Sequence, residues 1–376
     1  MFIDINKYGN IVPNINLNLS KKQKKALIVY IDYKDACVQI TNFYNENSNG
    51  TLHTNRLELF QIIKAFIGLD YCVDVCAYDD YKAKAYIAKN NYDVVFGLGD
   101  MFRWACKHIK AYKIIYMTEN PYDISIKKET ERITYFEQRH KKRWFLERTN
   151  KFYRKQDENR ADMVISVGET ELYKDRKIEA ARLYPSGLFN DAFCFNDSNK
   201  HKTNFLVFGT DGFIHKGNDL LIDVFLKHPE WTLYICGSNV TSSIKKIMGI
   251  NIEKTNIVDC GYINVNDKKY LELAYKCVFV LQPSCSEASS TAILTCMRHG
   301  MIPIVMHGNG FDRLDKYCYF FENYFIDDIE QTIKDAIAIA NDSLLKRSRE
   351  VYLYANKAFT IEAFGKEIEK ILMDVC

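Results

Sequence analysis

The sequence predicts an α/β protein built from two doubly wound units, each with a parallel sheet and crossover helices. Short apolar runs typical of buried strands alternate with amphipathic segments typical of helices along most of the chain. The alternation restarts after a polar stretch at residues 196–203, and a length of 376 residues suits two domains. We therefore expect two Rossmann-like domains facing a central cleft at the carboxyl ends of their strands.

The N-terminal half is the first of these units. Residues 1–20 show no periodicity and are interpreted as a tail, and residues 21–195 as the first domain. The predicted strands are 26–31, 72–77, 93–97, 113–117 and 163–167, and the predicted helices are 55–67, 81–89, 101–110 and a long basic helix at about 127–160.

The C-terminal half repeats the pattern. Residues 196–203 are interpreted as the linker and residues 204–356 as the second domain. The amphipathic segment 361–373 predicts a last helix, and we expect residues 357–376 to pack back on the N-terminal domain. The predicted strands are 204–208, 231–236, 257–260, 278–282 and 302–306, and the predicted helices are 217–227, 242–248, 265–275 and 290–299.

Composition indicates a globular protein and argues against several classes. Hydrophobic residues make up 47% of the chain and charged residues 26%. No apolar run reaches the ~18 residues of a membrane-spanning helix, and the N-terminus lacks a signal-peptide pattern, so we expect a cytoplasmic protein. The 12 cysteines are scattered without ligand spacing, which predicts buried thiols and no zinc site. A net charge of +3 is too small to indicate a nucleic-acid partner.

The segment 138–160 is rich in basic side chains with aromatic residues interleaved. Two interpretations stay open. The segment forms a long helix with one core face and one solvated basic face, or it contacts an anionic substrate or an anionic membrane surface. Membrane contact would place the protein peripherally at the inner face of the membrane.

Two strand-to-helix loops in the C-terminal half carry the sharpest chemical signals. In the stretch FGTDGFIHKGNDLLID, Lys216 and Gly217 open a helix, and a lysine there offers an anion a point charge beside free backbone N–H groups. Such a pair suits a diphosphate, although an ordinary loop with a surface lysine has the same spacing. In the stretch QPSCSEASSTAILTCMRHGMIPIV, Glu287 precedes a helix start that carries Ser289, Ser290 and Thr291. This start offers further donors to an anion, or is a simple serine N-cap.

Together, these two segments resemble the C-terminal domain of retaining GT-B glycosyltransferases of family 4, the glycosyl transferases group 1 domain of bacterial surface-glycan enzymes. The matching features span residues 208–305: a KG pair, a P-S-x-x-E segment that contains Glu287, and a closing strand with the sequence GMIPIV at residues 300–305. Two positions depart from the family pattern. Thr210 follows Gly209 where the family has a basic residue, and Thr295 replaces the second glutamate, which binds the donor ribose. The donor is then held differently, or activity is lost.

The N-terminal half resembles the acceptor-side domain of the same family more loosely. His53 and Asn55 lie at a loop-to-helix transition, and Glu119 and Asn120 follow a predicted strand, with Arg132 on the next helix. The alternative interpretations are a structural histidine at His53 and a plain turn at Glu119 and Asn120.

The resemblance implies transfer of a hexose-type sugar from a UDP- or GDP-sugar to a hydroxyl of a glycan or lipid-linked acceptor, with retention of configuration. No D-x-D triplet occurs, so we expect no metal and no other cofactor. The alternatives are a non-catalytic GT-B partner protein in glycan assembly and a sugar-nucleotide epimerase. The expected catalytic residues are Lys216, Glu287, Glu119 and His53. The expected donor-binding residues are Gly209, Thr210, Lys216, Gly217, Glu287, Ser289, Ser290, Thr291 and Thr295. The expected acceptor-side residues are His53, Asn55, Glu119, Asn120 and Arg132.

Overall fold

The computed structural model describes residues 11–18, 23–31, 54–148, 153–196, 200–209 and 212–376. Two residues predicted for the site, His53 and Thr210, lie outside the described residues. The chain divides into two compact units, and neither is continuous in sequence. Unit 1 comprises Met1–Tyr122, Lys151–Tyr184 and Ile361–Cys376, and unit 2 comprises Asp123–Asn150 and Pro185–Thr360.

Unit 1 is built on a sheet with the strand order β1-β3-β2-β4-β5-β6-β7, in which every pair is parallel except β1–β3. Its strands are β1 (Val12–Ile15), β2 (Lys25–Tyr30), β3 (Cys72–Ala77), β4 (Val94–Gly97), β5 (Lys113–Thr118), β6 (Met163–Ser166) and β7 (Glu179–Arg182). Its helices are α1 (Thr54–Gly68), α2 (Lys84–Ile87), α3 (Gly99–His108), the start of α4 (Tyr122–His140), α5 (Lys155–Glu158) and, from the chain end, α12 (Ile361–Val375). Two 3₁₀ turns lie at Tyr81–Ala83 and Thr170–Arg176.

The central strands of unit 1 are mostly apolar. In β2, every residue from Ala26 to Tyr30 is buried, because crossover helices cover both faces of a parallel sheet. Strand β1 is added at the edge of the sheet, from residues 12–15 of the expected tail, and pairs antiparallel with β3. Phe364 and Ile368 of α12 join the same hydrophobic core as Ile62 and Phe66 of α1.

Unit 2 is built on a second, all-parallel sheet with the strand order β10-β9-β8-β11-β12-β13. Its strands are β8 (His201–Phe208), β9 (Thr232–Cys236), β10 (Ile257–Gly261), β11 (Cys277–Gln282), β12 (Ile302–Met306) and β13 (Tyr319–Phe321). Its helices are the rest of α4, α6 (Asn218–Phe225), α7 (Val240–Met248), α8 (Lys268–Lys276), α9 (Thr291–Arg298), α10 (Ile326–Ala338) and α11 (Asn341–Ala358), with a 3₁₀ turn at Asp312–Leu314.

The strand order of unit 2 reverses direction between β8 and β11. From β8 the chain builds outward through β9 and β10 on one side, and then returns to build β11, β12 and β13 on the other. The two strands pair directly, with Val280 opposite Leu206. Ligands of open α/β sheets bind outside the carboxyl ends of the strands at such a switch point. The loops that follow β8 and β11 are therefore the first place to look for a site.

The predicted α/β class with two Rossmann-like parallel sheets is confirmed. The predicted helix at 127–160 is not continuous: it ends at His140, where Lys141 adopts a left-handed backbone, φ 52°, and residues 141–148 contain no helix, whereas Lys155–Glu158 form the separate helix α5. Residues 123–150, which the sequence-based boundary groups with the first domain, belong to unit 2. Within the described part of the chain, no helix is both long and apolar enough to cross a membrane.

Candidate functional site

Two loops meet at the switch point of unit 2. Residues 209–217 connect β8 to α6, and residues 283–290 connect β11 to α9. The N–H group of Cys285 donates a hydrogen bond to the carbonyl oxygen of His215 over 2.9 Å. Gly217 has a φ of +73°, and a Cβ there would lie 2.5 Å from the carbonyl oxygen of Pro283. The loops are therefore packed backbone against backbone, which only glycine permits at this position.

Lys216 and Glu287 are brought together by this contact. The Lys216 Nζ lies 3.8 Å from Oε2 of Glu287, and both residues are buried. A Cβ on Gly209 would lie 3.9 Å from the same Nζ, so the glycine that follows β8 borders the lysine. The two sharpest sequence signals thus form one cluster, with Lys216 and Gly217 directly before the first turn of α6.

Glu287 is held in place by neighbours on its own loop, at the end of β11 and in the loop after β12. Its Oε2 accepts hydrogen bonds from Ser284 Oγ at 3.2 Å and from Gln282 Nε2 at 3.4 Å. Its backbone N–H donates to Oδ1 of Asn309 at 3.0 Å, and Nδ2 of the same Asn309 donates to the carbonyl of Ser284 at 2.7 Å. The Asn309 side chain therefore fixes the backbone conformation of the loop between Ser284 and Glu287.

A second cation reaches Glu287 from a distant part of the sequence. Arg148 forms an ion pair with Oε1 of Glu287, whereas Lys216 lies 3.8 Å from Oε2. Its aliphatic stem lies against Gly212, where a Cβ would meet Cδ of Arg148 at 2.8 Å. Sequence reasoning marked Arg148 only as part of the basic segment 138–160 and did not connect it with Glu287, because 139 positions separate the two residues.

Charge decides the protonation state of Glu287. Burial alone would raise the pKa of its carboxyl group, but the positive charges of Arg148, Lys216 and His215 outweigh burial and lower the pKa to about 2. Glu287 is therefore an anion at neutral pH, so it can accept hydrogen bonds but has no proton to donate.

The loop 141–148 that carries Arg148 is anchored through its backbone. Oε1 of Glu129, which is buried on α4, accepts hydrogen bonds from the N–H groups of Glu147 at 2.7 Å and Arg148 at 3.1 Å. The Glu147 carboxylate in turn accepts from the backbone N–H of His215 at 2.8 Å and from Nε1 of Trp144 at 2.9 Å. The loop is thus tied to the residue that precedes Lys216.

His215 is fully enclosed beneath this cluster. Its Nδ1 lies 3.3 Å from Oε1 of Glu129 and 3.6 Å from Sγ of Cys285. Burial lowers the pKa of this imidazole, but Cys285, Glu129 and Glu287 together raise it well above the usual range. A protonated His215 adds positive charge directly beside Lys216.

The predicted residues at the start of α9 differ in what their side chains do. Ser289 is buried, and its hydroxyl donates to the carbonyl of Gly310 at 2.7 Å. Ser290 and Thr291 are half-buried at the first turn of the helix. The hydroxyl of Thr295, further along α9, accepts a hydrogen bond from the N–H of Leu188 at 2.9 Å. Thr295 is therefore used inside the protein, and its role toward a ribose stays a prediction.

Three acceptor-side candidates lie in unit 1. Asn55 is half-buried in the first turn of α1. The backbone carbonyl of Glu119 accepts a hydrogen bond from Ser166 Oγ at 2.6 Å, and its side chain is half-buried. The Asn120 side chain is buried and accepts from the N–H of Glu169 at 3.0 Å, which fastens the end of β5 to the loop after β6. Glu119 and Asn120 thus follow the carboxyl end of β5, as expected.

Arg132 belongs to unit 2, whereas Asn55, Glu119 and Asn120 belong to unit 1. It is completely buried and forms an ion pair with Asp219 on α6, which is also completely buried. Arg139, about two turns further along α4, lies 3.0 Å from Asp219 and also forms an ion pair with Asp223. Helix α4 is therefore joined to α6, the helix that Lys216 and Gly217 open. Within the described residues, no group of three or more His, Cys, Asp or Glu side chains is placed to hold a metal ion.

Comparison with protein-family models gives no match, and comparison with curated protein sequences gives none either. Solved structures do match over nearly the whole chain. Sucrose-phosphate synthase from Thermosynechococcus elongatus has a TM-score of 0.60 and 13% identity, over 94% of this chain and 99% of that chain. HepE (Alr3699) of Anabaena in complex with UDP and glucose has a TM-score of 0.56 and 12% identity, over 94% and 100%. WaaG, a glycosyltransferase involved in lipopolysaccharide biosynthesis, has a TM-score of 0.51 and 14% identity, over 92% and 99%. At such identities the likeness shows the fold, and the predicted GT-B fold is confirmed.

Proposed function

We propose that this protein is a glycosyltransferase that moves a sugar from a nucleoside diphosphate sugar to a hydroxyl group of an acceptor. One observation carries the proposal: Lys216 and Glu287 meet at the switch point of unit 2, beside the start of α6. The cation and the helix N-terminus suit the diphosphate of a donor bound on a Rossmann-like support, and the buried carboxylate suits the hydroxyls of its sugar.

Lys216 and the first turn of α6 would stabilise the leaving diphosphate. Gly217 turns the chain into the helix, so the positive end of the helix dipole accompanies the lysine, while the N–H groups of Gly217 and Asn218 donate to carbonyl groups of the preceding loop. A charge-assisted contact of this kind, made where water is partly excluded, contributes roughly 2–4 kcal/mol at the transition state. This stabilisation replaces the role that a metal ion has in other transferases, so we propose a metal-independent reaction without another cofactor.

Glu287 would orient the donor sugar. A carboxylate with a pKa of about 2 is ionised throughout the physiological range, so it accepts hydrogen bonds from sugar hydroxyls strongly. Because it has no proton to give, we do not assign it the role of a general acid. Ser290 and Thr291 at the start of α9 are proposed as further donor contacts.

The finer assignments rest on the resemblance to family 4. We propose membership of that family, retention of configuration, and proton transfer from the acceptor to the leaving phosphate. HepE is described in complex with UDP and glucose, which supports a UDP-sugar over a GDP-sugar as the first donor to test. WaaG is described as a glycosyltransferase involved in lipopolysaccharide biosynthesis, which supports a glycan or lipid-linked acceptor. The hexosyl donor is proposed from the resemblance to family 4 alone. His53, Asn55, Glu119 and Asn120 are proposed for the acceptor side.

A peripheral membrane contact through residues 138–160 is part of the proposal. Lys141, Lys142 and Arg143 are exposed, and Phe145 has 66% of its surface exposed beside them. Basic and aromatic side chains in this arrangement suit an anionic lipid surface. Flotation with liposomes of phosphatidylglycerol tests it; protein that stays at the bottom of the gradient at low salt contradicts a membrane contact.

The experiment that tests the function begins with binding. We expect a thermal shift of several degrees with UDP, GDP or ADP, or with one of their sugars, in metal-free buffer. Release of nucleoside diphosphate from the matching sugar nucleotide, dependent on an added glycan acceptor, would establish transfer. Conversion of the sugar nucleotide without an acceptor would instead indicate an epimerase.

One observation favours the second candidate, a non-catalytic GT-B protein. Thr295 stands where the family has its second carboxylate, and its hydroxyl is used by the backbone of Leu188. A protein that binds a glycan or another transferase, but neither binds nor turns over any nucleotide sugar, would support this candidate.

A further inference from the structure

We propose that Glu129 is a positioning residue of the donor site, which holds Lys216 and Glu287 in their relative places through the loops that it joins. The inference rests on the proposed function, since it assumes that a nucleoside diphosphate binds beside these two residues. Glu129 lies on α4, outside both loops singled out by the sequence. We assign it no contact with the donor, so it acts only through the residues that it holds.

A single oxygen of Glu129 makes three contacts. Its Oε1 accepts the backbone N–H groups of Glu147 at 2.7 Å and Arg148 at 3.1 Å, and lies 3.3 Å from Nδ1 of His215. The first two contacts fix the backbone that carries the Arg148 side chain, and the third fixes the imidazole directly before Lys216. Glu129 is completely buried, so these contacts are made where water does not compete with them.

The same loops are joined a second time through the backbone of His215. The carboxylate of Glu147 accepts the N–H of His215 at 2.8 Å, and the carbonyl of His215 accepts the N–H of Cys285 at 2.9 Å. The backbone N–H, the carbonyl and the ring of His215 are therefore fixed by three different segments of unit 2. Glu129 controls two of these contacts, one directly and one through Glu147.

These contacts set where Lys216 stands relative to Glu287. Lys216 follows His215 directly, and Glu287 lies two residues after Cys285, so the hydrogen bond between His215 and Cys285 bridges the two residues of the site. Binding groups need to be held within about 0.5 Å of their productive positions. Withdrawal of the oxygen that holds His215 should therefore weaken diphosphate binding, although no group that touches the diphosphate is removed.

The alternative is that Glu129 acts through its charge. Burial lowers the pKa of His215, whereas Cys285, Glu129 and Glu287 raise it well above its usual range, and the Glu147 carboxylate lies at its backbone N–H. Loss of the Glu129 charge alone thus leaves His215 among other acidic groups. Loss of the position of Oε1, by contrast, breaks all three contacts at once.

Two substitutions separate position from charge. Glu129→Gln keeps an acceptor oxygen in the same place without the charge, whereas Glu129→Asp keeps the charge but withdraws the oxygen by one methylene group. Asn256→Ala is the matched control, because Asn256 also fixes a loop of unit 2. Its Nδ2 donates to three backbone carbonyls between Phe225 and Trp231, at the opposite, amino ends of β9 and β10.

Isothermal titration with UDP, GDP and ADP measures affinity, and amide hydrogen exchange measures protection of the Glu147 and Arg148 N–H groups. We expect Glu129→Asp to weaken binding of the nucleotide that wild type binds roughly 10-fold and to speed exchange at both amides. We expect Glu129→Gln to stay within about 3-fold of the wild-type affinity and to keep both amides protected. We expect Asn256→Ala to be less stable than wild type but to bind like it.

Each outcome decides a different claim. Wild type that binds none of the three nucleotides overturns the proposed function, and this inference with it. Wild type that binds one of them while Glu129→Asp binds it equally well overturns this inference alone. So does a Glu129→Gln variant that binds as weakly as Glu129→Asp, because charge and not position would then matter.

Two further results would also overturn the inference. An equal loss of affinity in Asn256→Ala would show that affinity follows general stability, and protected amides in a weakened Glu129→Asp would show that the loop was not released. If Glu129→Asp has lost its circular-dichroism signal, Glu147→Ala removes the tie to the N–H of His215 and takes its place. It should lose roughly 10-fold in affinity, and wild-type affinity in Glu147→Ala would then contradict the proposal.

Discussion

Gly217 and Pro283 approach so closely that a Cβ on the glycine would lie 2.5 Å from the proline carbonyl oxygen. The contact joins the loop after β8 to the loop after β11, so it sets the distance between Lys216 and Glu287. It also makes Gly217 a position where both space and backbone conformation exclude other residues.

Replacement of Gly217 by Ala should therefore lower the free energy of unfolding by more than the strain of a left-handed alanine alone, because the new Cβ also clashes with Pro283. Gly249 has the same φ of +73° but no atom within 4 Å of its missing Cβ, so it is the matched control. We expect Gly249→Ala to lower the free energy of unfolding by about 1 kcal/mol, and Gly217→Ala to lower it by about 2–4 kcal/mol. Urea unfolding measures both; equal losses would show that the loops move apart freely.

Lys216→Ala should weaken nucleoside diphosphate binding roughly 10- to 100-fold and lower turnover further, because a charge-assisted contact is lost. Titration calorimetry and release of the diphosphate measure the two effects. Lys227→Ala, at a half-exposed position beyond α6, is the control and should bind like wild type. Unchanged affinity and turnover in Lys216→Ala would remove the lysine from the donor site.

Glu287→Gln should lower turnover without weakening the binding of the free nucleoside diphosphate. Removal of a negative charge beside Lys216 leaves the affinity for free UDP or GDP unchanged or tighter, since the carboxylate competes with phosphate for the cation. Turnover should fall roughly 100-fold, because a neutral amide accepts sugar hydroxyls more weakly than a carboxylate. A loss of diphosphate affinity together with normal turnover would contradict the assignment of Glu287 to the sugar.

His299 should make the protein less stable in weak acid. Burial, together with the charges of Arg298 and Lys200, lowers its pKa from 6.5 to about 4, against a hydrogen bond to Thr295 that raises it. As the pH falls, His299 is therefore protonated in the unfolded chain before it is protonated in the folded protein. The folded state loses stability between about pH 6.5 and pH 4. The pKa difference corresponds to roughly 3 kcal/mol at most.

Chemical unfolding at several pH values from 8 to 4 measures this effect. His299→Gln cannot ionise, so its stability should depend less on pH in that range than that of wild type. His201→Gln, an exposed histidine, is the control and should keep the wild-type profile. A wild-type profile that is flat between pH 6.5 and 4 would show that His299 becomes protonated without cost.

Asp219→Asn should destabilise unit 2 strongly. Both Asp219 and Arg132 are completely buried, so loss of the carboxylate leaves the Arg132 charge without its partner, at a cost of roughly 3–5 kcal/mol. The double variant Arg132→Met with Asp219→Leu removes both charges and should cost less than the single change. Asp191→Asn, at an exposed position, is the control. A double variant less stable than the single one would contradict this account.

The sequence predicted the two loops with Lys216 and Glu287 and every described strand except β1, β7 and β13, because apolar periodicity and helix starts are local properties. The end of α4 at His140 was not predictable in the same way. The residues that follow, KKRWFLER, contain neither glycine nor proline, and the helix stops because Lys141 turns left-handed and Glu137 accepts the N–H of Trp144.

The contribution of Arg148 was also beyond local reasoning. Its contact with Glu287 depends on that turn, on Glu129 holding the loop, and on the order of strands that brings β8 beside β11. Each of these is a tertiary relationship between residues far apart in the chain. The same holds for Arg132, whose buried partner Asp219 lies on a helix that begins 86 positions later, from Arg132 to Asn218.

The discontinuity of unit 1 has a consequence for biosynthesis. A ribosome releases every residue of unit 2 before it releases α12, the helix whose Phe364 and Ile368 complete the core around α1. Unit 2 can thus finish its sheet during translation, whereas unit 1 waits with an uncovered apolar helix until the last helix emerges. Nascent chains halted shortly before residue 361 should therefore recruit chaperones through α1, and no single cut of the polypeptide yields both units whole.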